Sequence, residues 1–275
     1  MRAGVDCGAT LKKIVWSDNE GLHYSMHWTE GSLINTIRSN NISVVARTGV
    51  GAFPMLPSHI GVVKFPGDRI DVELKLQAAG VRALLKATAV DITRFLLVSV
   101  GTGVSYSRIA PNVCDRQSIG SAIGGGFIKG IAALCDVALA DVANVVPSCD
   151  SAADILIKDI DITKREQLEG EIVLAHFGNV TRHTPKTHVL ASAINTVAAC
   201  TVKDVMNILG NNFLGEERVV YIGTPIAKIP ALRDRLQKYH AFLPVPPLML
   251  PRGEFAGALG ALMNLNRMMD DEEVN

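Results

Sequence analysis

The chain has 275 residues, of which 48% are hydrophobic and 20% are charged, enough apolar material to bury the cores of two domains of ordinary size. Lysine plus arginine and aspartate plus glutamate number 27 each, so the net charge of zero gives no electrostatic reason to expect a nucleic acid or an anionic membrane as partner. The five cysteines are scattered, without a CxxC pair, which is typical of a reducing compartment and predicts a cytoplasmic protein without a structural metal site.

The first third of the chain predicts an α/β domain with a mixed sheet. Three strand-like runs come first, and a helix, a strand, another strand and a second helix follow, at residues 3–6, 12–16, 22–28, 32–39, 42–46, 60–65 and 72–89. A meander of three strands followed by alternating helices and strands is the pattern of an α/β sheet that is only partly parallel.

The same pattern begins again near residue 94. Strands are predicted at 94–100, 104–109, 113–119 and 218–222, and helices at 127–146, 189–209, 230–239 and 253–268. The apolar stretch 189–209 contains four polar residues, which favours a buried helix over a membrane span. Two halves that each begin with a strand, a glycine-bearing turn and a strand predict a duplicated architecture, with domains at 1–92 and 93–275.

The turn after the first strand is the most informative segment for function. Asp6 ends the strand, Gly8 allows a ligand to approach the backbone closely, and Thr10 and Lys13 can address a phosphate. A carboxylate beside a phosphate favours a divalent cation between the two. The same residue types are also typical of an ordinary hairpin turn, and that interpretation stays open for this segment alone.

Three further glycine-bearing turns follow strand-like runs or precede a helix, at 48–51, 101–103 and 124–126. A helix follows the last of them, so its N–H groups and the positive end of the helix dipole are predicted to be free to bind an anion. Together the four turns predict a phosphate-binding protein, and the chain contains no P-loop sequence.

These motifs resemble those of the type II pantothenate kinases, in the superfamily of acetate and sugar kinases, actin and heat-shock chaperone ATPases. The opening turn is similar to the family's Asp-x-Gly-Gly-Thr-Leu-x-Lys, and the resemblance extends over almost the whole chain. The other segments that carry it are 100–105, 123–130, 176–180, 221–223 with 231–233, and 253–262. The resemblance implies two ribonuclease-H-like domains with a nucleotide cleft between them, ATP and Mg²⁺ as cofactors, pantothenate as substrate, and a homodimer.

The resemblance also implies roles for particular residues. Glu73, at the start of a helix, falls where the family has its catalytic base, and Asp6 would hold Mg²⁺ through water; without the resemblance, Glu73 could equally be an acid favoured by the helix dipole. The implied cofactor-binding residues are Gly8, Thr10, Lys13, Gly101, Thr102, Gly103, Gly124, Gly125, Gly126 and Gly223. Arg116 and Ser121 are the implied substrate-binding residues.

One departure from the family pattern concerns the substrate. Counting back from Gly124, the arginine that contacts pantothenate in the family falls on Gln117, and a neutral amide cannot replace a cation that meets a carboxylate. We predict a shift of one residue that lets Arg116 serve. Recognition of a sugar or another small alcohol is the alternative, and a non-catalytic nucleotide-gated regulator is a third interpretation.

Overall fold

The computed structural model describes residues 1–117, 120–148, 150–210 and 218–273, so the end of the predicted strand 113–119 lies outside the described residues. Within these ranges the strands are β1 (Arg2–Cys7), β2 (Lys12–Asp18), β3 (Gly21–His27), β4 (Val44–Thr48), β5 (Gly61–Lys64), β6 (Phe95–Val100), β7 (Val104–Ala110), β8 (Val113–Arg116), β9 (Ile155–Leu156), β10 (Val173–Ala175), β11 (Arg218–Ile222) and β12 (Pro247–Met249). The α-helices are α1 (Glu30–Ser39), α2 (Arg69–Ala87), α3 (Gly125–Leu134), α4 (Val142–Val145), α5 (Ile157–Ile160), α6 (Lys186–Leu209), α7 (Thr224–Lys228), α8 (Pro230–His240) and α9 (Ala256–Glu273).

The chain forms two compact units, and both are discontinuous in sequence. Unit 1 consists of Met1–Thr93, Ser107–Arg116 and Leu250–Asn275, and unit 2 of Arg94–Tyr106 and Gln117–Met249. This arrangement differs from the predicted division into 1–92 and 93–275, because the last helix completes the first unit.

Unit 1 is built on a five-stranded sheet with the order β3-β2-β1-β4-β5. The first three strands form an antiparallel meander, and β4 and β5 are parallel to β1. Side chains alternate across β1, so Ala3 and Val5 pack with Leu33 and Ile37 of α1, while Gly4 and Asp6 belong to the opposite face.

Helix α9 covers that opposite face of unit 1, and glycines let it come unusually close. A Cβ on Gly4 would lie 1.9 Å from the Ala258 carbonyl oxygen, and one on Gly80 of α2 would lie 1.9 Å from the Ala256 carbonyl oxygen. A Cβ on Gly260 would lie 1.8 Å from the Leu76 carbonyl oxygen. Backbone thus packs directly against backbone, which fixes α2 and α9 relative to β1.

The second sheet has the order β12-β11-β6-β7-β8. The core of unit 2 lies around β6, β11 and the first residues of β7, while the rest of β7 and β8 belong to unit 1. Strand β11 is parallel to both β6 and β12. Helix α6 packs into this core, and Asp204 on it accepts a hydrogen bond from the Tyr106 hydroxyl at 3.0 Å. The sheet, the helices and the mixed strand directions confirm the predicted α/β class.

Helix α6 is, among the described residues, the helix long and apolar enough to cross a membrane. The most apolar 18-residue stretch of α6 has a mean hydropathy of 1.3, and 61% of that stretch is buried inside the structure. This burial is what the prediction of a core helix requires.

Candidate active site

Three side chains form a row across the three central strands of the unit 1 sheet. Asp6 of β1 pairs with Lys13 of β2 on one side and with Thr48 of β4 on the other. Paired residues on neighbouring strands share a face of the sheet. The Lys13 Nζ lies 3.5 Å from the Asp6 Oδ2, and the buried Thr48 hydroxyl has no hydrogen-bond partner among the described residues. The row therefore presents a cation, a carboxylate and an unsatisfied oxygen side by side.

Two glycine-bearing loops are pressed together at the ends of these strands. The Gly8 N–H donates to the Leu11 carbonyl at 3.0 Å and closes the first turn, in which Thr10 is partly exposed. The Gly51 N–H donates to the Cys7 carbonyl at 2.7 Å. Gly49 has φ +89°, and a Cβ there would lie 2.6 Å from the Asp6 Oδ1. Glycine at 49 is therefore required both by its left-handed backbone and by its approach to the carboxylate.

The first turn of α9 also reaches Asp6. A Cβ on Gly257 would lie 3.1 Å from the Asp6 Oδ2, so the start of this helix lies against the carboxylate. The positive end of a helix dipole favours a negative charge at that place. The resemblance places the glycines of the segment 253–262 near the nucleotide. In the structure they allow α9 to pack against β1, α2 and Asp6.

Glu73 belongs to the N-terminal part of α2. The helix begins there because the Asp68 side chain accepts hydrogen bonds from the N–H groups of Ile70 at 2.9 Å and Asp71 at 3.3 Å. Burial, and after it the negative charge of Asp6, raise the pKa of Glu73 to about 7 against the opposing charges of three cations: Lys13, Arg69 and Arg116. The charges of Asp6, Lys13 and Arg116, three of the predicted site residues, therefore all act on Glu73.

Two neighbours of Glu73 were not predicted from the sequence. The Gln77 Nε2 donates to the Glu73 Oε1 at 3.1 Å, and the Gln77 side chain is 8% exposed. Arg69 lies one helical turn on the other side of Glu73. Residues four apart on a helix are neighbours on its surface, so this spacing was the signal available in the sequence.

Arg116 and Gln117 have different positions at the end of β8. Arg116 pairs with Ser107 and is exposed, and its charge acts on Glu73. The Gln117 N–H donates to the Tyr106 carbonyl at 2.9 Å, and Gln117 is the first residue of the second segment of unit 2. Of the two, Arg116 belongs to the unit that contains Glu73.

In unit 2, two of the predicted glycine turns are joined by backbone hydrogen bonds. The N–H groups of Gly125 and Gly126 donate to the carbonyls of Gly101 and Thr102, each at 2.8 Å. The prediction that the N–H groups at the start of α3 are free to bind an anion is therefore wrong for these two glycines. A Cβ on Gly124 would lie 2.8 Å from the Gly103 Cα, so the turns pack without side chains between them.

Gly223 and Ser121 have structural partners in unit 2. Gly223 has φ +116°, and a Cβ there would lie 2.0 Å from the Val100 carbonyl oxygen, so this glycine lets the ends of β11 and β6 meet. Ser121 bridges to Val104 through both backbone groups, and its hydroxyl accepts from the Ile123 N–H at 3.1 Å.

The segment 176–180 surrounds a buried carboxylate in unit 2. Asp154 is 1% exposed and accepts hydrogen bonds from the Ser192 hydroxyl, from the Asn195 Nδ2 at 2.6 Å and from the Phe177 N–H at 3.1 Å. The Phe177 backbone has φ +59°, a strained conformation for a bulky residue, and the network holds it there. This part of the chain had no strand or helix prediction.

The fold is similar to that of proteins of known structure. The activator of the 2-hydroxyisocaproyl-CoA dehydratase from Clostridium difficile with bound ADPNP superposes with a TM-score of 0.63 at 13% identity, over 100% of this chain and 97% of that one. The (R)-2-hydroxyglutaryl-CoA dehydratase component A of Acidaminococcus fermentans gives 0.58 at 15% identity, over 96% of each chain. These likenesses define the class, an actin-like ATPase fold, and confirm the predicted fold.

Proteins of similar sequence point to a narrower class than the fold alone does. The type II pantothenate kinase of Staphylococcus haemolyticus (strain JCSC1435) is 28% identical over 272 residues, 95% of this chain and 99% of that protein. The type II pantothenate kinase of Staphylococcus aureus (strain USA300) is 26% identical over 276 residues, 95% of this chain and 98% of that protein. No protein-family model matches the sequence. The end-to-end similarity confirms the predicted resemblance to type II pantothenate kinases and, with it, the prediction of a kinase-class enzyme.

Proposed function

We propose that the protein transfers the γ-phosphoryl group of ATP to the primary hydroxyl of pantothenate with Mg²⁺, the first step of coenzyme A synthesis. The observation that carries the proposal is Glu73, a partly buried carboxyl with a pKa of about 7 beside Asp6 and three cations. The end-to-end similarity to pantothenate kinases supports the choice of acceptor.

Glu73 is the proposed general base. A base works best when its pKa lies near the working pH, since it is then ionised and still basic enough to take a hydroxyl proton. Burial and the Asp6 charge bring the pKa of Glu73 into that range. Gln77 holds one carboxylate oxygen through its amide, which leaves the other oxygen for the acceptor hydroxyl.

The residues around Asp6 fit a magnesium–triphosphate ligand. Mg²⁺ prefers oxygen ligands and keeps several waters. The Asp6 carboxylate and the Thr48 hydroxyl, which has no hydrogen-bond partner in the part of the chain that the structure describes, would supply oxygens for such a hydrated ion. When bound, the magnesium–nucleotide supplies the phosphoryl group and neutralises part of its charge. Lys13 and Thr10, with the Gly8 backbone, would bind the oxygens of that group.

In unit 2 we assign nucleotide binding to the joined turns. The residues assigned to the nucleotide are Gly101, Thr102, Gly103, Gly124, Gly125, Gly126 and Gly223. Most of these glycines let the turns pack backbone against backbone, which shapes the surface that the turns present to the phosphate groups. Because the N–H groups of Gly125 and Gly126 are already used, their role is to shape the turn, and other groups of the same turns bind the nucleotide.

Arg116 is the proposed partner of the pantothenate carboxylate, and Ser121 the second substrate-binding residue. We also propose a homodimer, inferred from the resemblance to the type II kinases, and a cytoplasmic location, inferred from the scattered cysteines. Cys7, Cys114, Cys135 and Cys200 are free thiols in the structure, which agrees with a reducing compartment. Light scattering that showed a monomer at micromolar concentration would contradict the dimer.

The test of the function is a coupled ADP-release assay with pantothenate, a panel of sugars and no acceptor. We expect ADP release that depends on pantothenate and on Mg²⁺. Arg116→Met should raise the KM for pantothenate about tenfold or more while the KM for ATP stays unchanged, because a charge-assisted hydrogen bond to the carboxylate is lost. Arg38→Met, which removes an exposed arginine from α1, is the matched control. Turnover with a sugar alone would favour the sugar-kinase alternative.

A further inference from the structure

Arg69 is the first residue of α2, and its side chain crosses to the loop that follows β4. The Arg69 Nε donates to the Gly49 carbonyl at 3.2 Å, and its Nη2 donates to the Gly51 carbonyl at 2.6 Å. One guanidinium thus holds two backbone carbonyls of the same short loop. The sequence motifs gave this arginine no role.

The loop held by Arg69 is the one packed on Asp6. Gly49 approaches the Asp6 carboxylate so closely that a Cβ would lie 2.6 Å from Oδ1, and the Gly51 N–H donates to the Cys7 carbonyl at 2.7 Å. Arg69 therefore links two parts of unit 1: the strand end that presents Asp6, and the helix end that presents Glu73 one turn further along.

Arginine suits this link because its donors form a rigid planar fork. The fork can reach two carbonyls two residues apart at once, whereas a lysine ammonium is a single point donor on a flexible stem. The charge of Arg69 also opposes the rise in the pKa of Glu73, together with Lys13 of β2 and Arg116 of β8 and against Asp6 of β1.

We propose that Arg69 is a positioning residue for the phosphoryl transfer, holding the Asp6 loop against the end of α2 so that Glu73 and Asp6 keep their separation. The inference rests on the proposed function. It adds a residue that acts through Glu73 and Asp6, by its hold on the Gly49 and Gly51 carbonyls.

Two variants separate the fork from the charge. Arg69→Lys keeps the charge and loses the two-carbonyl grip; we expect kcat to fall about tenfold because small displacements of reacting groups are costly, with the KM for pantothenate changed less than twofold. Arg69→Met loses both, and we expect in addition that the acidic limb of the kcat/KM profile moves to higher pH, because the pKa of Glu73 rises. The control is Arg82→Met. Arg82 lies further along α2 and donates to the Ala110 carbonyl of β7, and its replacement should leave kcat and the acidic limb of the kcat/KM profile unchanged.

Structural readouts keep the inference testable whatever the acceptor is. In Arg69→Lys and Arg69→Met, amide hydrogen exchange at Gly51 should become at least about tenfold faster, and carbon-13 titration should show a higher pKa of Glu73 in the methionine variant only. Wild-type turnover with pantothenate together with wild-type kcat and exchange in both variants would overturn the positioning role. Absent turnover in the wild-type protein, with faster exchange in the variants, would instead overturn the proposed function and leave the Arg69 link supported.

Discussion

Glu73 in unit 1 is partly buried and Asp154 in unit 2 is fully buried, yet their pKa values move in opposite directions. Burial and the charge of Asp6 raise the pKa of Glu73 to about 7. Burial alone would also raise the pKa of Asp154, but the His176 ring 3.6 Å away and hydrogen bonds from Ser192, Asn195 and the Phe177 N–H outweigh it and lower that pKa. The number of donors aimed at each carboxylate decides the sign.

The difference separates a reactive carboxyl from a structural one. Asp154 uses its lone pairs to hold the strained backbone at Phe177, so its charge is stable and unavailable. Glu73 accepts an amide hydrogen bond from Gln77, and its place is fixed by the packing of α2 against α9. Replacing each carboxylate by its own amide therefore gives a matched pair of variants.

The largest effect is expected on turnover. Glu73→Gln should lower kcat at least about a hundredfold, because the amide cannot accept the hydroxyl proton, while ATP binding stays within twofold of wild type. The ADP-release assay and isothermal titration calorimetry measure the two quantities. A fully active variant would remove Glu73 from the chemistry.

The matched change in unit 2 should act on stability. Asp154→Asn leaves donors of the network without a charged acceptor, and we expect the free energy of unfolding to fall by about 3 kcal/mol. Urea unfolding followed by circular dichroism measures it, with Glu73→Gln as the control that unfolds at or above the wild-type midpoint. Equal midpoints for Asp154→Asn and wild type would refute the anchoring role.

A smaller loss tests whether packing alone holds the helix that presents Glu73. Gly260→Ala places a Cβ 1.8 Å from the Leu76 carbonyl oxygen, so α2 and α9 must separate, and we expect a loss of about 2 kcal/mol. Gly130→Ala is the matched control, since a Cβ at this helical glycine of α3 meets nothing within 4 Å. It should raise stability by about 0.5 kcal/mol.

The mildest test is the pH dependence of the two carboxylates. Because Glu73 must be ionised to accept a proton, kcat/KM should fall about tenfold per pH unit below a pKa of about 7. The folded chain binds this proton more tightly than the unfolded chain, so Glu73 lowers stability as pH rises from 4.5 to about 7. Asp154 acts in the opposite sense: its lowered pKa stabilises the fold above its ordinary value of 3.8, and this contribution is lost as pH falls through the folded value.

Urea titrations of the wild type and Glu73→Gln at pH 5 and pH 7.5 isolate the Glu73 part. The variant should gain stability relative to the wild type at the higher pH, by more than about 1 kcal/mol. A difference that does not change with pH would show that the pKa of Glu73 is ordinary.

The hairpin that carries Asp6 and Lys13 could be predicted because its signal is local: two apolar strands and a short turn fix the register that pairs these residues. The role of Glu73 needed the resemblance, since an acid near a helix start is common for other reasons. The joining of the turns at 101–103 and 124–126 depends on a contact distant in sequence, so the glycines alone could not show which N–H groups are used.

The Asp154 network and the position of α9 could not be predicted from the sequence either. The partners of Asp154 are dispersed between 176 and 195, with no periodic pattern to join them. The need for glycine at 257 and 260 is visible only in the structure, where these residues lie against Asp6 and Leu76 from other parts of the chain. The spacing of glycines in a sequence can therefore indicate close backbone packing, but it does not show which residues lie on the other side of the contact.

The position of α9 has a consequence for folding. Gly4 of β1 closes against Ala258 of α9, which is far away along the chain. Contacts between residues so distant in sequence form slowly, because a long loop must close first. The face of the sheet that bears Asp6 therefore stays uncovered in any folding intermediate in which α9 has not yet docked, and a chain arrested there would lack the surface that supports the opening motif.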